Sequence, residues 1–262
     1  MINEFPAPPP VSRVPRRFSV VLAVFAVLLA SGVGGAGYGF AKVVSYRSDR
    51  VPVNWMEPAV PQGIRIVYGK QDGQVYHRGD VLLARIPPQP DEPESLLIGR
   101  VIGVGGDDVL CCDERHRIVV DGKAVDEPYA SGDGPVFHAV LPKDTVFLAG
   151  DRRDVSWDSR QLENIRQIEH YGTGGAIPLS DVYGVVLATG GTEWWVRPLP
   201  ATTAFTDAGL PGAPEVDGGP LAGRVLVVAG AGMFLIGFIG VLVIVVRSGG
   251  RRRRAAAGPP VR

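Results

Sequence analysis

Residues 150–160 read GDRRDVSWDSR and lie one residue beyond Thr145–Leu148, TVFL, a short apolar run. Working outward from this stretch, the chain breaks into runs of the same kind. Upstream are Ile64–Tyr68 (IRIVY), Val81–Ile86 (VLLARI), Leu97–Val104 (LIGRVIGV) and Arg117–Val120 (RIVV); downstream is Val182–Leu187 (VYGVVL). Four to eight residues rich in valine and isoleucine, closed by glycine, proline or aspartate, are strand signals. Asp121-Gly122, directly after RIVV, is a hairpin turn. Outside the apolar runs near the ends, no segment keeps helical periodicity for more than about two turns. Gln161–His170 is left open as a short helix or an inserted loop. The central region is expected to be mainly antiparallel β.

Farther out are two long uncharged runs, Phe18–Ala41 with 24 residues and Val225–Val246 with 22. At about 1.5 Å per residue, either helix crosses a hydrocarbon core of roughly 30 Å. Lipid offers backbone amides no partner, so helices are expected. The first run is longer than the core of a cleaved leader and is read as an uncleaved anchor. The net charge of the chain is zero and gives no reason to expect nucleic-acid binding, but the charges are segregated. Residues 1–40 carry +2, residues 41–224 carry −8, and residues 225–262 carry six arginines and no acid. Basic flanks resist translocation, so both termini are expected in the cytoplasm and the central region outside. Arg251–Arg254 is read as an anchor on anionic lipid.

The expected organisation is a cytoplasmic tail (1–17), a membrane helix (18–41), a β domain (42–197), a Pro-, Gly- and Ala-rich linker (198–224), a second membrane helix (225–246) and a basic cytoplasmic tail (247–262). Gly35 and Gly39, four apart, suit close packing of the two spans. Gly32, Gly34 and Gly37 spell a dinucleotide-binding pattern, but inside an apolar span they lack the strand and soluble helix it requires. Cys111 and Cys112 are the only cysteines. Two thiols cannot complete a tetrahedral zinc site. A vicinal disulfide, pairing between chains, and two half-buried strand thiols all remain open. No cofactor or metal is expected.

The central stretch, with its neighbours, resembles the bacterial type I signal peptidase family. GDRRDVSWDSR is similar to that family's GDNRxxSxDSR box at Gly150, Asp151, Arg153, Ser156, Asp158, Ser159 and Arg160. Arg100–Asp107, RVIGVGGD, resembles KRVIGLPGD; Gly79-Asp80-Val81 resembles the GDVV strand start; Met56-Glu57-Pro58 resembles the SMEPT element. Ala176-Ile177-Pro178 and Asp181–Val185 resemble the closing segment, and a second span near the C-terminus resembles actinobacterial relatives. The resemblance implies a signal-peptidase-like antiparallel β domain, outside the membrane, between two transmembrane helices. It also implies removal of leader peptides by a serine nucleophile with a lysine base.

That chemistry has strict needs. A lysine takes a serine proton only when burial holds it neutral, well below its usual value of about 10.4. The oxyanion then needs donors, in this family a backbone amide and a hydroxyl. The resemblance puts Trp55 at the nucleophile position, Gly99 at the base position and Val53 at the oxyanion-hydroxyl position. An indole and a hydrogen atom cannot replace a hydroxyl and an amine, and losing the nucleophile alone costs a serine protease roughly a millionfold in turnover. Ser45, Ser48, Lys70 and the scattered His77, His116, His138 and His170 form no substitute pattern. The sequence is therefore expected to be a non-catalytic relative that binds extended leader peptides or a membrane partner. The alternative is an active signal peptidase with a displaced dyad. In the box, the resemblance gives Asp158–Arg160 as a brace and Ser156 as the residue that would orient the missing lysine.

Overall fold

The computed structural model describes residues 16–69, 75–86, 95–162, 174–191, 195–214 and 216–256. The chain divides into two units: residues 1–40 with 225–262, and residues 41–224. The first unit is built on two helices, α1 (Arg16–Ser45) and α4 (Gly219–Ala256). Each contains a segment long and apolar enough to cross a membrane, Val20–Ser45 and Gly219–Gly249. Their outward side chains, such as Val27, Phe40, Leu235 and Val246, are exposed, as lipid-facing residues are.

The two helices meet through glycine, but not at the expected pair. A side chain at Gly32 would run into the backbones of Gly230 and Phe234, and one at Gly237 would meet the backbone of Leu29. Gly39 is buried with them. Gly35 meets Gly230 only at ordinary contact distance, 3.9 Å from where its Cβ would stand. Gly32 and Gly39 are seven apart and share a face, whereas Gly35 lies off it.

The second unit carries twelve described strands: β1 (Arg47–Arg50), β2 (Arg65–Gly69), β3 (Val81–Ile86), β4 (Ser95–Val104), β5 (Asp108–Cys111), β6 (Ile118–Val120), β7 (Lys123–Ala124), β8 (Phe137–Val140), β9 (Thr145–Ala149), β10 (Ile177–Pro178), β11 (Val182–Gly190) and β12 (Arg197–Pro198). One sheet runs β1-β2-β11-β3-β4-β9-β10, with β12 also paired to β11; the other runs β7-β6-β5-β8. Every ladder is antiparallel. This is the mainly β architecture read from the sequence, set between the two apolar helices in chain order.

Strand β4 is buried along most of its length, which explains its unbroken apolar reading. Leu97 and Val101 enter one core, Ile98 a second, and Ile102 a third, where Phe137, Phe147 and Phe205 gather. The β6–β7 hairpin turns on Asp121 and Gly122 with φ of 50° and 75°, the left-handed pair its short turn requires. Strand β1 is fully exposed RSDR and has no apolar strand signal of its own. It forms because β2 offers it a ladder, Arg47 opposite Tyr68 through Arg50 opposite Arg65.

The segment expected as a linker, 198–224, is tied down. Pro198 pairs with Ala188, and the Leu199 amide donates to the Leu187 carbonyl at 2.8 Å. Helix α3 (Ala204–Asp207) buries Phe205 to 1% exposure in a core. Arg78 Nη1 donates to the Pro211 carbonyl at 2.8 Å, and the Tyr46 hydroxyl donates to Asp217 Oδ2 at 2.7 Å. Too few anchors are spread over too many prolines and glycines to show a period. Of Gln161–His170, the start belongs to helix α2 (Ser159–Leu162); the rest lies outside the described residues.

Candidate functional site

The loop after β1 is closed on itself. The Val51 amide donates to the Ile64 carbonyl at 3.0 Å, and the Gly63 amide donates back to Val51 at 2.7 Å. Met56, wholly buried, fixes its middle. Trp55 is half-buried and packs against two apolar clusters, one holding Leu82 and Leu148, the other Met56 and Ile98. Val53 packs against the second.

The box reaches this loop through its backbone. The Arg152 amide donates to the Trp55 carbonyl at 2.8 Å. A side chain at Gly150 would overlap Ser156 and come within 2.8 Å of that same carbonyl, so close approach demands glycine here. Gly99 is buried in β4 opposite Leu82. A Cβ at Gly99 would stand 3.0 Å from the Leu148 Cβ. Any side chain there would need Leu148 to give way.

The side chains of the box form a buried, charge-balanced lattice. Asp151 accepts from Arg100 Nε at 2.8 Å and Nη2 at 2.6 Å. The Arg100 guanidinium lies over the Tyr129 ring, 4.2 Å from its centroid, and the Tyr129 hydroxyl donates to Glu127 at 2.5 Å. Arg153 Nη2 donates to the same Glu127 at 2.7 Å and its Nε to the Gly150 carbonyl at 2.9 Å. Arg160 grips Asp158 through Nε at 2.8 Å and Nη2 at 2.7 Å. Asp158 Oδ2 also takes the Gly150 amide at 2.9 Å. Three guanidiniums thus face three carboxylates. Ser159 Oγ accepts from the Leu148 amide at 3.0 Å, which ties the box to β9.

Ser156 Oγ is fully engaged: it donates to Asp158 Oδ2 and accepts from Arg160 Nη2, both at 2.7 Å. Burial opposes the charge on Arg100, and the bidentate Asp151 more than offsets it, so its pKa lies above the ordinary guanidinium value. Burial, with Glu127 beside it, holds the Tyr129 phenol well above its usual range. Sequence reasoning missed Glu127 and Tyr129, which stand in a turn-rich stretch with no periodicity. It also missed the buried Arg78–Asp107 pair, with Nε to Oδ2 at 2.8 Å and Nη2 to Oδ1 at 2.5 Å.

The described lysines, Lys42, Lys123 and Lys143, are all exposed. His116 and His138 are exposed and His77 is half-buried beside Asp80; Lys70 and His170 lie outside the described residues. No group of three or more metal-ligating side chains occurs among the described residues.

An antiparallel β unit between two apolar helices, with this box folded back on the loop that follows the first helix, defines the class of membrane-associated signal peptidases. Residues 17–189 match the family described as signal peptidase, peptidase S26, and the chain belongs to that family. It is similar to signal peptidase I V of Bacillus subtilis (strain 168), with 28% identity over 170 residues, spanning 58% of this chain and 92% of the relative. The two apolar helices and this membership fit a membrane protein.

Proposed function

We propose that the chain is a signal-peptidase-like membrane protein that does not cut, and that its β domain binds extended leader peptides. The observation that carries this reading is the pairing of Trp55 with Gly99. The nucleophile position holds an indole packed into the apolar clusters, and the base position sits against Leu148 with no room for a Cβ at ordinary distance. The box supports the same reading, because its hydrogen bonds are all internal and brace the fold. The domain stands outside the membrane with both termini in the cytoplasm, as the basic flanks of the spans favour. A reporter fused to either end tests that orientation.

The function is tested with the full-length protein in detergent, a secretory precursor, and a leader peptide bearing a photoreactive group. The precursor stays intact and the peptide crosslinks. Cleavage abolished by replacing a single serine would establish instead an active peptidase with a displaced dyad. Absence of any crosslink would remove the binding role.

A further inference from the structure

The Cys111–Cys112 pair has no part in a peptidase reading, yet the structure joins the two sulfurs in a disulfide. A disulfide stabilises a fold chiefly by removing freedom from the unfolded chain, and that effect shrinks with the loop it closes. Adjacent residues enclose almost no loop. The link therefore does little as a staple.

It also works against the strand that carries it. Successive side chains of a strand point to opposite faces, so two linked neighbours cannot both keep strand positions. Cys111 is the last residue of β5, in register with Ile118 and Phe137, and packs into the apolar core. The chain then turns at Asp113, whose carboxylate holds Arg117 Nε at 2.9 Å and Nη2 at 2.7 Å. Freed thiols would let residue 112 return to the opposite face, while the bonded pair ends the ladder at 111.

Position matters as well. Cys111 and Cys112 line a cavity of about 50 Å³ together with His116, Asp133, Arg153 and Arg160. That space admits a sulfur on a slender methylene chain, and little more. Cys112 is the more exposed of the two. Two walls of the cavity are box arginines, held on their other sides by Glu127 and Asp158. The disulfide at the end of β5 therefore lies beside the residues that brace the box.

We propose that Cys111–Cys112 is a thiol–disulfide exchange site, reduced by a small thiol that enters this cavity. The entering thiolate attacks Cys112 Sγ; the sulfur–sulfur bond breaks, and Cys111 Sγ leaves and takes a proton from water. A second thiolate attacks the sulfur of the first thiol in the mixed disulfide and releases Cys112, which is protonated in turn. In sum, two thiols become one small disulfide, and the protein gains two electrons and two protons. A disulfide that closes almost no loop costs the fold little when it opens, and the cavity gives a thiol access to Cys112.

The test uses full-length protein purified in detergent without reductant. It is equilibrated with graded ratios of reduced to oxidised glutathione, quenched with acid, alkylated with N-ethylmaleimide in denaturant, and weighed intact. The expected result is a reversible step from zero to two labels per chain, with the melting temperature nearly unchanged. A Cys111→Ser/Cys112→Ser chain takes no label at any ratio. Thiols already free before reductant is added, reduction only after denaturation, or bridging between chains would each overturn the proposal. A large fall in melting temperature on reduction would overturn it too, by showing a staple. None of these outcomes depends on whether the protein cleaves or binds leader peptides.

Discussion

Replacing Arg160 with methionine tests whether the box braces the fold. Arg160 is 2% exposed and holds Asp158 through two nitrogens, Ser156 Oγ at 2.7 Å and the Arg153 carbonyl at 3.1 Å. Arg160→Met keeps much of the apolar stem but leaves Asp158, wholly buried, without its cation. Removing one partner of a buried pair costs about 3–5 kcal/mol. In a domain of this size each kcal/mol moves the melting temperature by roughly 2–4 °C, so the β unit should melt roughly 6–20 °C earlier. The assay is thermal unfolding of the full chain in detergent, followed by tryptophan fluorescence. Adding Asp158→Leu should recover part of the loss, because the uncompensated charge is then gone. A shift under about 2 °C for Arg160→Met would refute the brace, since a buried pair worth so little contradicts its geometry.

Other outcomes follow from the same structure. Gly99→Lys should destabilise the β unit by about 1–3 kcal/mol through overpacking against Leu148, and slow precursor cleavage should appear only when Trp55→Ser is added; thermal melts and a cleavage gel measure the two effects. Phe205→Ala should cost about 3–5 kcal/mol, because the strap after β12 is anchored in the core; a bare tether would show no change in a denaturant melt. Burial, then the hydrogen bond to Asp49, pushes the Tyr68 phenol up to about 12. The folded state thus holds this proton more tightly than the unfolded chain, so its stabilisation is intact below about pH 10 and fades as pH rises to about 12. An ultraviolet titration should show that late phenol, and Asp49→Asn should bring it earlier. Gly230→Leu should separate the two apolar helices, since a side chain there meets the backbone of Ala36; crosslinking between cysteines placed on each helix would drop several-fold.

Much of the candidate site was legible because its motifs are local. Ser156, Asp158 and Arg160 stand within five residues, and their hydrogen bonds run among themselves, so short-range spacing already encodes the brace. Glu127 and Tyr129 were not legible, because their role depends on a turn carrying them beneath Arg100 and Arg153, and nothing in EPY announces such a contact. Gly35 and Gly39 were read as the contact from their spacing alone, whereas the closest approach falls at Gly32, with Gly35 at ordinary contact distance from Gly230; a lone helix has several glycine faces, and only its partner selects one.

The sequence by itself determined the two apolar helices and the mainly β character of the region between them, and its motifs pointed to the signal peptidase family. Each depends on residue type over a few neighbouring positions, through hydropathy, strand period or functional-group chemistry. Tertiary structure alone decided that exposed RSDR becomes a strand, that a proline-rich stretch is a strap held by Phe205, and that Leu148 crowds the place of a Cβ at Gly99. Those outcomes depend on partners distant in sequence, whose approach is set by packing and not by any local pattern.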